Sequence, residues 1–195
     1  MIHESYPWKQ DLLRRKRLIL KYNCANLLSE DSAYTVIERA VFYSAFIIRK
    51  LIDCRVKVSD EVDAYKFTLK GFRPLRNVDV MHRWPDENSH DWEHEAMTCT
   101  KSGKEICNWL IHSHIFFFGF DEDEKIDSFF VSSDYDRNKM LYRIELKDWI
   151  AYMEFVGSDS IVDLEMHFDR CKKEYVVAKK ERGNSKGSAP VDVVD

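Results

Sequence analysis

The side chains best suited to metal chemistry are concentrated in one stretch: His82, His90, Asp91, Glu93, His94, Glu95, His112 and His114 fall within 33 positions and include five of the seven histidines. His90 and His94 are four residues apart, so on a helix both imidazoles project from one face and can share a tetrahedral ion at about 2.0–2.1 Å. His112 and His114 are two apart and would share one side of a strand. A helix pair meeting a strand pair supplies up to four nitrogen ligands. An open position on the ion, Zn or Mn, would activate water, with Asp91 or Glu93 as general base. One expectation is therefore a metal-dependent hydrolase or nuclease. The competing reading makes the same histidines surface or hydrogen-bonded core residues and the acids solvated.

Two short resemblances fall in this stretch. His90-Asp91-Trp92-Glu93-His94 resembles the His-Glu-x-x-His signature of zinc metalloproteases, with Asp91 where that family has its general-base Glu. Asp is one methylene shorter, so the resemblance implies a base that reaches less far toward a metal-bound water. Arg83 and His90 resemble the spaced Arg and His of HEPN-type ribonucleases, which converge on an RNA phosphate. Trp84-Pro85 interrupts that interval, and proline breaks the helix the pattern needs. Other chemistries lack their residues. The 6 glycines are scattered singly, so neither a dinucleotide nor a P-loop fingerprint is present. The 5 cysteines form no C-x-x-C pair, which disfavours a disulfide framework and a thiolate zinc site.

A second group of residues suggests binding rather than catalysis. Arg14, Arg15, Lys16 and Arg17 form a basic run downstream of Trp8. The formal net charge of −4 conceals a gradient: residues 1–60 carry 11 basic and 7 acidic groups, and residues 121–195 carry 12 and 18. The acidic excess includes Asp121-Glu122-Asp123-Glu124. An acidic whole has no field that draws in nucleic acid or anionic lipid. No stretch approaches the ~20 apolar residues of a membrane span. The leading expectation is a non-catalytic interaction or regulatory protein without a cofactor. Its surface would be Arg14, Arg15, Lys16, Arg17 and Trp8, and its partner another protein or a second copy. Reduced thiols and the lack of a secretory signal point to the cytoplasm.

The elements that must position these groups make an α+β protein: two N-terminal helices packed on a mainly antiparallel sheet, with further helices interspersed. Helices are expected over 9–28 and 33–54. Ile37, Val41, Ala45, Ile48 and Ile52 give the second the best 3.6-residue period in the chain, and Val36, Phe42, Phe46 and Ile47 widen its buried stripe. Tyr65, Phe67 and Leu69 alternate with polar residues as in a strand with one wet face. Residues 77–83 suggest a short strand, 88–97 a helix, and 101–110 a further helical turn or two. A three-stranded meander is expected over 111–146, with Phe116-Phe117-Phe118 buried on both faces. A helix over 147–156 would end at a left-handed Gly157. Val162, Leu164, Met166 and Phe168 alternate as an amphipathic strand, and 170–181 fit helix or strand equally. Residues 1–182 would form one globular domain, with a disordered tail over 183–195.

Overall fold

The computed structural model describes residues 3–24, 31–81, 84–92 and 96–183. Its elements, in chain order, are α1 (Tyr6–Tyr22), α2 (Asp31–Asp53), the short α3 (Asp60–Ala64), β1 (Lys66–Phe72), β2 (Met97–Ser102), α4 (Gly103–Ile111), β3 (Ser113–Phe120), β4 (Ile126–Ser133), β5 (Leu141–Glu145), α5 (Leu146–Gly157), β6 (Ile161–Asp169) and β7 (Glu174–Arg182). The fold is α+β. Five strands form an antiparallel sheet in the order β2-β1-β5-β4-β3, and among the described residues β6 pairs only with β7. The expected meander is β3-β4-β5. No described helix is long and apolar enough to cross a membrane.

The alternation of side chains divides the large sheet into two faces. Phe67, Leu69, Phe118, Phe129, Val131 and Ile144 face the helices and are 5 % exposed or less. The first two helices pack here as expected: Phe42 meets Phe116 at 4.6 Å between ring centroids, and Tyr34 meets Phe118 edge-on at 5.0 Å. The α2 stripe of Ile37, Val41, Ala45 and Ile48 is fully buried. From α5, Trp149 enters the same core and its indole N–H donates to Ser44 Oγ at 3.0 Å, while the Tyr152 hydroxyl donates to the Val62 carbonyl at 3.2 Å. Each buried ring thus keeps its polar atom paired.

The opposite face carries a smaller cluster of Val78, Ile115 and Leu141, with Phe72, Trp92, Phe117 and Phe130 half-buried around it. The run Phe116-Phe117-Phe118 is therefore not buried equally on both sides. Phe117 stacks on its cross-strand partner Phe130 at 4.6 Å and 4° and stays half-buried.

The connection from β1 to β2 departs most from expectation. Residues 77–81 form no strand: Asn138 Oδ1 takes the Val78 N–H and Asp79 Oδ1 takes the Met81 N–H, so side chains replace a ladder. Residues 84–92 form no helix. His90 makes an isolated bridge to Pro74 instead, with Leu75 N–H on the Ser89 carbonyl and Asp91 N–H on the Arg73 carbonyl. Gly157 is the last residue of α5 rather than a left-handed cap. It serves close packing: a Cβ there would lie 2.7 Å from Leu13 Cδ2. The ambiguous 170–181 stretch becomes β7. Residues 184–195 of the expected tail, and 25–28 of the first expected helix, lie outside the described residues.

One polar hub ties the outer elements together. The buried Asp159 carboxylate accepts the Ser59 N–H at 2.9 Å and the Ser59 hydroxyl at 2.6 Å, and Arg182 Nε lies 3.2 Å from it. Lys9 Nζ donates to the Asp159 carbonyl at 2.7 Å. Burial lowers the Lys9 pKa and the Asp159 charge opposes that shift.

Candidate functional site

In α1, Leu12 and Ile19 are fully buried. The basic run therefore wraps around the remaining surface, with Arg14 and Arg17 exposed and Lys16 Nζ 2.8 Å from Glu154. Arg15 turns toward α2 and its guanidinium lies over the Tyr43 ring, 4.6 Å from the centroid. Its Nε is 3.6 Å from Asp11 Oδ1 and makes no hydrogen bond. Trp8, two helical turns earlier on the same side, lies 6.4 Å from Phe46.

Arg39, Tyr43, Phe46 and Lys50 are spaced four, three and four, which places them on one face of α2. Tyr43 and Phe46 are stacked at 6.4 Å, and Lys50 Nζ lies 5.7 Å from the Phe46 centroid. The two rings are 40% and 39% exposed, so Phe46 does not belong to the buried stripe expected of it. Arg15, Arg39, Phe42, Tyr43 and Phe46 line a groove of about 430 Å³. In the sequence the basic run marks the α1 half of this face, while the α2 half has no comparable run. The signal was present in the two cations that bracket the aromatic pair at helical spacing.

The predicted histidine cluster resolves into separate structural roles. His90 is 1% exposed. The Ser89 hydroxyl donates its proton to the Asp86 carbonyl at 2.7 Å, so at 2.9 Å it accepts from His90 Nδ1–H. Nε2 is then the unprotonated nitrogen, buried and without a hydrogen-bond partner. Burial, with Arg76 adding to it and Asp86 opposing, lowers the His90 pKa to about 4. His114 on β3 donates from Nε2 to the Asp79 carbonyl at 3.0 Å and has Nδ1 3.7 Å from Asp134. His112 precedes β3 as the C-cap of α4 and is exposed. Asp91 is half-buried beside His90, outside any helix, while Glu93 and His94 lie outside the described residues. Among the described residues no group of three or more His, Cys, Asp or Glu could hold a metal ion.

No family, curated protein or solved structure matches this chain. Its function has to be read from the side chains themselves. Among them the α1–α2 face is an exposed assembly in which two helices converge on one chemistry. It combines cations with rings that other protein surfaces can bury.

Proposed function

We propose that this chain is a non-catalytic interaction protein, regulatory in role, whose working surface is the α1–α2 face and whose partner is a protein presenting an acidic segment. The observation that carries this reading is the stripe Arg39, Tyr43, Phe46, Lys50 aligned beside Trp8 and Arg15. Trp, Tyr and Arg are the residues that most often dominate binding energy, because they bury large area at small entropy cost and still offer directed donors. A guanidinium presents five N–H donors in a fork that matches a carboxylate. The groove supplies an apolar floor for one anchoring side chain, Arg15 and Arg39 line it with positive charge, and Lys50 adds a cation by the Phe46 ring.

The test is charge reversal combined with cross-linking from within the groove. Arg15→Glu with Arg39→Glu leaves Leu12, Ile19 and the buried α2 stripe untouched, so the fold persists by circular dichroism. Affinity for the partner falls at least tenfold. A photo-reactive residue at position 43 cross-links to a protein segment rich in Asp and Glu. Cross-links confined to nucleic acid or lipid, or a partner indifferent to both reversals, would remove the basis for this reading.

A further inference from the structure

A second cavity, of about 770 Å³, opens where α4, β2, β5 and the β4–β5 turn meet, on residues that the α1–α2 face does not use. Its floor is the pair Trp109 and Tyr142, stacked at 3.9 Å and 7°. Lys101 Nζ lies beside the edge of this stack, 5.6 Å and 5.8 Å from the two ring centroids. Asn108, His112 and Arg49 complete the walls.

The acceptors around this cavity are already engaged. Asp136 takes the Trp109 indole N–H at 3.0 Å, the Ser133 hydroxyl at 3.0 Å and Lys139 at 3.3 Å. Glu105 is bound by the Ser102 N–H and hydroxyl and by Lys101. Asp134, on the rim, is paired with Arg137 and faces His114.

The donors are not engaged in the same way. Arg49 has only donors, so the Asn108 atom 2.8 Å from its Nε must be the carbonyl oxygen, and among the described residues the Asn108 NH2 makes no hydrogen bond. Among the described residues the Tyr142 hydroxyl and the His112 ring make no hydrogen bond. Lys101 uses one of its three N–H donors, on Glu105 at 3.3 Å. Burial opposes the Lys101 charge and the hydrogen-bonded Glu105 carboxylate favours it; the net shift is upward, so the ammonium is present at neutral pH.

We propose that this cavity is a binding site for a small oxyanion, a carboxylate or phosphate group, held by Lys101, Asn108, His112 and Tyr142. A ligand that only accepts matches walls that have donors to spare and acceptors already satisfied.

The test is an NMR titration of the full chain with sodium phosphate and, separately, sodium acetate, at ionic strength held constant with chloride. The Asn108 side-chain amide and the Trp109 indole N–H are observed. Expected is a saturable shift of both signals with at least one anion, and the anion that saturates names the class. Tyr142→Phe, which keeps the stacked ring and removes only the hydroxyl, and Lys101→Met each weaken the affinity at least fivefold. Lys66→Met, at an exposed position of β1, leaves it unchanged. Should Lys101→Met unfold the chain, His112→Ala at an exposed position carries the same criterion. Linear, unsaturable shifts with both anions, or affinities that ignore these variants, mean an adventitious ion only and overturn the site.

Discussion

Strands β1 and β6 are written in nearly the same pattern and meet opposite fates. In β1, Phe67 and Leu69 alternate with Lys66, Thr68 and Lys70, and both apolar residues are 3% exposed. In β6, Val162, Leu164, Met166 and Phe168 alternate with Asp163, Glu165 and His167, yet they are 68%, 36%, 52% and 50% exposed. The difference is the neighbourhood. β1 lies between β2 and β5 beneath a helical layer, whereas among the described residues β6 has only β7 beside it. A two-stranded ribbon alone is marginal in water. This one is tied to the body by Lys180 on the Val58 carbonyl and near Asp60, and by Arg182 on Asp159 and over the Phe155 ring. Alternation shows which face of a strand is apolar, and only the fold decides whether that face is covered.

The contrast can be tested by substitution. Phe67→Ala removes a ring packed on Tyr65, Trp149 and Tyr152. It should cost about 3–5 kcal/mol of unfolding free energy in a denaturant titration. A smaller effect comes from acid, through the loop that covers the far side of β1. Below pH 6.5 the unfolded chain takes up a proton on His90, while the native chain does so only near pH 4. The stability that neutral His90 contributes is therefore complete above pH 6.5 and is lost as the pH falls through that window, by about 2–3 kcal/mol. Subtracting the pH profile of His90→Gln from that of the wild type isolates this slope, and parallel profiles would show that His90 does not contribute it. The smallest effect belongs to the ribbon: Phe168→Ala should change stability by no more than about 0.5 kcal/mol. A loss comparable to that of Phe67→Ala would mean that β6 is covered after all.

What the sequence made legible follows the same logic. The buried period of α2 and the β3-β4-β5 meander could be read because each lies in a dense layer where one rule, burial of an apolar stripe, decides position. Residues 77–81 and 84–92 could not be read this way. There Asn138, Asp79, Ser89 and Asp86 hold the backbone through individual side-chain bonds that leave no period. The helix expected around His90 failed for this reason, since Ser89 binds the Asp86 carbonyl and His90 in a turn instead of starting a helix. Of the candidate site, the α1 cations and Trp8 were legible as a charge run with a nearby ring. Tyr43 and Phe46 were hidden because apolar spacing on a helix reads the same whether the face is buried or open.

The seams between strands and helices carry a further consequence. β2 ends at Ser102 and α4 begins at Gly103, and β5 ends at Glu145 and α5 begins at Leu146, with no residue between them in either case. At the first seam a capping box between Ser102 and Glu105 fixes the helix start, and a Cβ on Gly103 would lie 2.2 Å from the Tyr152 hydroxyl. The rotational phase of α4 is thereby locked to the register of β2. One inserted residue would turn the helix by about 100°. That turn would carry Ile106 and Leu110 out of the core and swing Asn108, Trp109 and His112 away from their cavity in the same motion. Changes of chain length are therefore excluded at the first seam, where core packing and the anion cavity depend on the same count of residues.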